Sequence, residues 1–251
     1  MKLTQNFRLQ QLGFKKIALW SGPRNISTAM MYSFANRKDT RVVDEPLFGY
    51  FLKHTNLWRP SKDEVLSTME QDPKKILSEL TNPKQDQAVF FMKHMANHLI
   101  DLDWSFLKGF SNIILTRHPK DVILSYSKHI KNPSMLDLCF EIQHELLNYL
   151  IENQHPVIVI DASQVLANPE LILKKICNTL NINFSTKMLS WEPGPLKEDG
   201  VWAKYWYHNV HKSTCFGKYI SSKDATLSKD LLPIYRKCLV HYNELLNHQL
   251  K

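Results

Sequence analysis

Glycine is scarce in this chain, seven residues in 251 against twelve prolines, which excludes collagen-like and low-complexity architectures. No apolar run reaches the ~18 residues that a membrane span requires. The first sixteen residues, MKLTQNFRLQQLGFKK, lack the continuous apolar stretch of a secretory signal. The expectation is a soluble chain in the cytoplasm, with residues 1–14 as a polar leader and no membrane partner. The four cysteines, Cys139, Cys177, Cys215 and Cys238, lie far apart with no Cys-x-x-Cys pair. A zinc framework or disulfide scaffold is therefore not indicated, and scattered thiols suit a reducing compartment. Also missing is the Gly-x-x-x-x-Gly-Lys-Ser/Thr loop of nucleoside triphosphatases. A magnesium-binding carboxylate that would accompany such a loop is hard to find after an apolar strand, so a nucleotide kinase or magnesium-dependent hydrolase is disfavoured.

What is present is ordinary globular composition, 43% hydrophobic and 22% charged, enough for a substantial core. The length accommodates one α/β domain. Lys and Arg outnumber Asp and Glu by 32 to 24, a net charge of +8, which favours an anionic ligand. The basic residues are dispersed, and no zinc-finger or RNP pattern accompanies them, so nucleic acid is not the expected partner.

Short apolar runs over residues 16–21, 40–44, 88–93, 112–116 and 156–160 read as strands buried on both faces. Helical periodicity intervenes at 26–37, within 49–87, through 127, at 134–153 and at 169–180. A last amphipathic helix spans 230–247, with Pro233 tolerable only in its first turn. Right-handed crossovers then give a single, mostly parallel, five-stranded doubly wound sheet with helices on both faces. Residues 190–226 are aromatic and irregular.

Two strand ends carry chemistry. The first strand runs into Gly22-Pro23-Arg24-Asn25-Ile26-Ser27-Thr28. Here a helix start, two hydroxyls and a guanidinium form an anion cradle. The fourth strand ends in Thr116-Arg117-His118-Pro119-Lys120-Asp121, with Ser125 two turns along the helix. It could hold a second phosphate, or Arg117 could simply pair with Asp121 while Ser125 packs.

Together these segments resemble the sulfotransferases that use 3′-phosphoadenosine 5′-phosphosulfate (PAPS), whose fold is similar to that of the P-loop NTPases. In that family a Pro-Lys/Arg-x-x-Ser/Thr-Thr loop binds the 5′-phosphosulfate, matched here by Pro23, Arg24, Ser27 and Thr28, with Asn25 and Ile26 between them. An Arg-x-Pro-x-Asp segment and a downstream Ser bind the 3′-phosphate, matched by Arg117, Pro119, Asp121 and Ser125. The resemblance also implies a late loop that closes over the nucleotide. Within 190–226 this role falls on Lys197, Gly200, Trp202 and Lys204, the lysines near phosphate and the indole against the base. Two departures stand out. Asn25 and Ile26 replace a small Ser-Gly pair, and Lys93-His94-Met95 puts Met where many cytosolic members have a basic His.

The implied reaction moves a sulfuryl group from PAPS to a small-molecule or carbohydrate hydroxyl, with an amine as second choice and no metal. Fixed cations and N–H dipoles supply charge stabilisation as the leaving oxygen develops charge, a task suited to Arg24 and Lys93. Glu45, at the end of the second strand, is the expected base, with His94 as the alternative and His98 a weaker one. Phe48, Tyr50 and Phe51 form an expected acceptor wall. Competing readings are a PAPS-binding module without catalysis and a nucleic-acid binder.

Overall fold

The computed structural model describes residues 13–219 and 225–251. The leader expected over 1–14 lies outside the described residues except for its last two.

Five strands form one sheet: β1 Lys15–Ser21, β2 Thr40–Asp44, β3 Val89–Met95, β4 Ser111–Thr116 and β5 Val157–Asp161. Their order is β2-β3-β1-β4-β5, and every pairing is parallel. The expected mostly parallel sheet is thus parallel throughout. Pro46 lies shortly beyond the end of β2 and Pro119 shortly beyond that of β4, where neither can donate a backbone hydrogen bond to the sheet.

Alternation along β1 builds the two covering layers. Ile17 and Leu19 face Met30, Met31 and Phe34 of α1 (Ser27–Ala35), together with Leu173 and Ile176 of a later helix, Pro169–Thr179. Ala18 and Trp20 face the opposite layer, which contains Leu146, Leu147 and Leu150. Between β2 and β3 the chain forms α2 (Phe48–Thr55), α3 (Lys62–Thr68) and α4 (Pro73–Thr81), and α5 (Pro119–Tyr126) follows β4. Each large side chain so buried stabilises the fold by ~1.5–3 kcal/mol.

The single helix read over 134–153 is broken. A turn at Met135–Leu138 precedes α6 (Phe140–Glu152), because Cys139 between them adopts φ 66°, a left-handed conformation that ends α-helical geometry. The short helix Ala162–Ala167 is α7, and Pro169–Thr179 is α8. The last helix, α9 (Leu232–Asn247), holds Pro233 in its first turn, as expected. No helix among the described residues is long and apolar enough to cross a membrane.

Candidate active site

The loop after β1 is held open by close packing. A Cβ on Gly22 would stand 2.9 Å from the Leu138 carbonyl oxygen, so only glycine fits the strand exit. Arg24 and Ile26 then take φ of 61° and 60°, left-handed conformations of the kind that gather backbone N–H groups into an anion nest. Ile26 is the N-cap of α1 and offers no side-chain acceptor, leaving the first-turn N–H groups without a side-chain cap. Asn25 Nδ2 donates to Leu115 O at 3.1 Å, tying the loop to β4. Its Oδ1 is buried without a hydrogen-bond partner. The departure from a small Ser-Gly pair is therefore accommodated by backbone handedness and by one amide anchor.

Because β1 and β4 are neighbours, with Ser21 opposite Leu115, the two motif loops meet. Arg24 Nε donates to Ser125 Oγ at 2.9 Å, and Arg117 Nη1 donates to the Arg24 carbonyl at 3.0 Å. Arg117 also pairs with Asp121, Nε to Oδ2 3.4 Å, so it serves both the ion pair and the loop. Burial, and then the charge of Arg117, hold the Arg24 guanidinium below its usual pKa. The nearby like charge disfavours the charged form of Arg24.

The other end of the site rests on the register of β2 and β3, which sets Asp44 directly opposite Lys93. Lys93 Nζ donates to Asp44 Oδ1 at 2.8 Å, to Glu45 Oε1 at 2.5 Å and to Tyr207 OH at 2.6 Å. Tyr207 OH in turn donates to the Asp44 carboxylate, 2.8 Å to Oδ2, and accepts from Trp202 Nε1 at 3.0 Å. Glu45 sits at φ 44°, which turns its side chain out of the strand line beside Lys93. Burial works against the Lys93 ammonium, but Asp44 and Glu45 outweigh it and raise its pKa. Burial raises the Glu45 carboxyl as well, opposed by Lys93 and reinforced by Asp44.

Strand alternation decides the histidine question. Lys93 and Met95 line the cleft, so His94 must face the other layer. There it stacks on Trp20, its register partner, at 4.1 Å between ring centroids, fully buried with neither nitrogen hydrogen-bonded. Burial, then the charge of Lys93, depress its pKa to about 3. His94 is thus a core residue and not a base, a correction of the sequence expectation. Met95 does occupy the cleft-facing position, but without a titrating group. His98, in the short turn Ala96–Leu99 after β3, faces the cleft instead. Its ring lies between Phe48 and Phe51, with centroids at 5.1 and 4.8 Å, and its Nε2 is 4.0 Å from Glu45 Oε2.

The late loop departs from expectation. Lys197 projects outward, 88% exposed, against Glu198, and Lys204 pairs with Glu64 at 2.6 Å on the surface. Neither lines the cleft; with no periodicity in this segment, the sequence carried no signal of which lysine faced inward. Gly200 contributes its N–H to Asp44 Oδ2 at 3.1 Å. A Cβ at Gly200 would lie 2.1 Å from the Trp202 ring. Trp202 meets Phe48 edge-on at 5.0 Å, and so belongs to the Glu45 end rather than to the end bearing Arg24. The loop is fastened to α1 through Asp199, which accepts from Tyr32 OH at 2.6 Å and lies 2.8 Å from His211 Nε2.

All of this encloses one cleft of about 370 Å³. Pro23 to Ala29, Arg117 and Ser125 line its cationic end; Glu45, Lys93, His98, Phe48 and Phe51 line the other. Of the expected acceptor wall, Tyr50 is not among the lining residues. It packs in the layer under β3 and donates to Ile100 O at 3.0 Å. Residues that sequence reasoning did not single out also face the cleft, among them Arg59, which is ion-paired with Asp137, Tyr207, and the stretch Ser213, Cys215, Phe216 and Gly217. The hydroxyl and glycine content of that stretch, inside the irregular region 190–226, was the available signal.

The sequence profile of the sulfotransferase domain matches residues 15–244. The chain is 38% identical over 243 residues to the branched-chain-amino-acid aminotransferase-like protein 1 of Arabidopsis thaliana, covering 92% of this chain and 43% of that protein. The like-named protein 2 of the same plant is also 38% identical, over 236 residues, with 92% and 41% covered. The chain thus spans about two fifths of the length of these curated relatives. Among solved structures, the sulfotransferase domain of the Synechococcus PCC 7002 olefin synthase superposes with a TM-score of 0.53 at 15% identity, covering 90% of this chain and 94% of that one. The sulfotransferase domain of the curacin biosynthetic pathway gives 0.53 at 15%, covering 95% and 100%. A sulfotransferase of Alicyclobacillus acidocaldarius gives 0.54 at 11%, covering 94% and 97%. With strand-end loops, sheet order and the profile match in agreement, the chain belongs to the sulfotransferase domain family.

Proposed function

We propose that this chain transfers a sulfuryl group from PAPS to a hydroxyl acceptor bound at the aromatic end of its cleft. The observation that carries the reading is that Arg117 Nη1 donates to the Arg24 carbonyl, bringing the two motif arginines together beside a helix start that has no side-chain cap. Such a site is built for an anion with more than one charged group. Arg24, Ser27, Thr28 and the loop amides suit a 5′-phosphosulfate; Arg117 and Ser125 suit a 3′-phosphate.

Sulfuryl transfer needs the acceptor oxygen, sulfur and leaving oxygen in line. The proposal runs that axis along the cleft, from the arginines at one end to the Glu45–Lys93 pair at the other. Charge growing on the leaving oxygen falls to Arg24 and the loop N–H groups. Lys93, held by two carboxylates, fixes Glu45 in place at the far end of the cleft. The aromatic walls exclude water and favour an acceptor with an apolar body. The aminotransferase-like wording belongs to relatives of which this chain matches about two fifths; no transamination is assigned to it.

The test is calorimetric titration with 3′-phosphoadenosine 5′-phosphate (PAP), with ADP and adenosine 5′-phosphate as controls, followed by an acceptor screen with PAPS. Tight binding that requires the 3′-phosphate, together with acceptor-dependent PAP release, is expected. Equal binding of all three nucleotides overturns the donor assignment. Binding without turnover reduces the protein to a nucleotide-binding module.

A further inference from the structure

Resting on the sulfuryl-transfer reading, we infer that the acceptor is an uncharged diol whose second hydroxyl is held between Arg59 and Asn97. Both residues line the cleft, and both are fastened to one short turn, Met135–Leu138. Arg59 Nη2 donates to the Asp137 carboxylate, and Asn97 Nδ2 donates to Leu136 O at 3.1 Å. Anchorage to consecutive residues brings the guanidinium and the amide to neighbouring points of the cleft wall. Asp137 is itself locked, its Oδ2 accepting from Ser134 N at 2.8 Å and from Ser134 Oγ at 2.7 Å. Arg59 Nη1 is held as well, donating to Trp58 O at 2.8 Å. The guanidinium is therefore part of the wall, and it keeps N–H groups beyond the two so engaged.

Asn97 commits its donor to Leu136, which fixes the amide's orientation, because the flipped amide would set two oxygens against each other. Its Oδ1 is left without a hydrogen-bond partner, in a residue only 4% exposed. Buried acceptors are normally paired, and the Leu136 side of this amide is already taken. The chemistry of the two residues then selects the ligand. A group lodged between them must accept from a guanidinium and donate to an amide oxygen, and a hydroxyl does both. A carboxylate has no proton for Oδ1, and it meets Asp137 and Glu45 besides. An ammonium can donate to Oδ1, but it is repelled by Arg59 and has no lone pair to offer it. The corner lies within electrostatic reach of the transfer end. Burial raises the Tyr126 phenol, which lines the same cleft, and after burial the charges of Arg59, Asp137, Cys139 and Glu45 act on it. The first hydroxyl is thus presented near Glu45 and the second at Asn97, with Phe48 and Phe51 covering the apolar body. Asn97 is a specificity-determining residue in this scheme.

The experiment follows PAP release from PAPS with matched acceptors. These are phenol, the three dihydroxybenzenes, their monomethyl ethers, the hydroxybenzoates, the hydroxybenzylamines, and cyclohexanol with the cyclohexanediols. At least one diol should exceed its monohydric parent and its charged or methylated analogues in kcat/KM by about 5- to 150-fold, as expected for pairing one buried polar group. Asn97→Leu should bring that ratio down to about twofold, the statistical advantage of a second reactive hydroxyl once the buried acceptor is gone. Damage to the fold alone would lower all acceptors together and keep the ratio. A wild-type ranking led by the monohydric, methylated or charged compounds overturns the inference, as does a ratio that Asn97→Leu leaves in place. Asn97→Ala, which makes room for a water at Leu136 O, repeats the measurement if the leucine variant does not fold, and the wild-type ranking decides if neither does. A protein that binds PAP yet transfers to none of these acceptors also overturns the inference. A wild-type protein that binds no PAP overturns the sulfuryl-transfer reading instead.

Discussion

Arg24 Nε donates to Ser125 Oγ at 2.9 Å, joining two residues 101 positions apart. This contact makes the two motif loops one binding surface. Arg24→Ala is expected to lower transfer by about 10²–10³-fold, as for loss of one charge-stabilising donor. Ser125→Ala should weaken PAP by about tenfold, the worth of one charge-assisted hydrogen bond. Arg117→Ala should weaken PAP more than ADP, because it removes the 3′-phosphate contact as well as its bond to the Arg24 carbonyl. Titration of each variant with both nucleotides checks this, and parallel losses for PAP and ADP in Arg117→Ala would sink the division of labour.

The single Lys93 charge is shared by two buried carboxylates, Asp44 and Glu45, and its removal leaves them uncompensated. Lys93→Met should cost about 3–5 kcal/mol, as for other broken buried pairs. The loss has a pH sign. Without Lys93, Asp44 and Glu45 would carry raised folded-state pKa values. Stability would then be greatest in acid and would fall as pH rises through those values. Urea melts at several pH values read this directly; a deficit that grows toward acid contradicts the buried-charge account.

His94 makes the opposite prediction. Its folded pKa is about 3, below the ordinary value near 6.5. The unfolded chain therefore binds the extra proton first, and stability falls as pH drops between those limits, by roughly 1.4 kcal/mol per pH unit. His94→Phe keeps the stack on Trp20 and removes both unpartnered nitrogens. It should flatten the acid side of the stability profile while leaving PAP affinity unchanged. An unaltered acid limb would show that other groups govern it.

Gly200 is fixed by contact, not by handedness. Ala at this position would drive a methyl into the Trp202 ring, pushing the indole off Tyr207 and loosening the cage around Lys93. A loss of about 1–3 kcal/mol is expected, with altered tryptophan fluorescence. A variant with wild-type stability and emission would show that the segment shifts freely.

Much of the fold was legible because buried parallel strands announce themselves as short apolar runs. The second strand, expected over 40–44, is observed as Thr40–Asp44. The cradle was legible too, since its residues are contiguous and the strand-turn-helix geometry is local. The cage was not. Tyr207 reaches Asp44 across 163 positions, and nothing in the irregular segment around it has a period that points inward. His94 was misread for a subtler reason. Adjacent strand residues face opposite layers, so proximity to Lys93 in sequence placed it on the wrong side of the sheet. His98 lies beyond the strand end, where alternation no longer predicts direction.

The tie from Tyr207 and Gly200 to Asp44 sets an order of events at the ribosome. All five strands have emerged once Asp161 has, well before Gly200 and Tyr207. At that moment the phosphate cradle can already form, because Arg24, Arg117 and Ser125 are all out. The chamber for the acceptor cannot form, because its roof still awaits translation. On the sulfuryl-transfer proposal, a chain ended before Gly200 would lack the bonds from Gly200 and Tyr207 to Asp44 and leave the transfer site open to water.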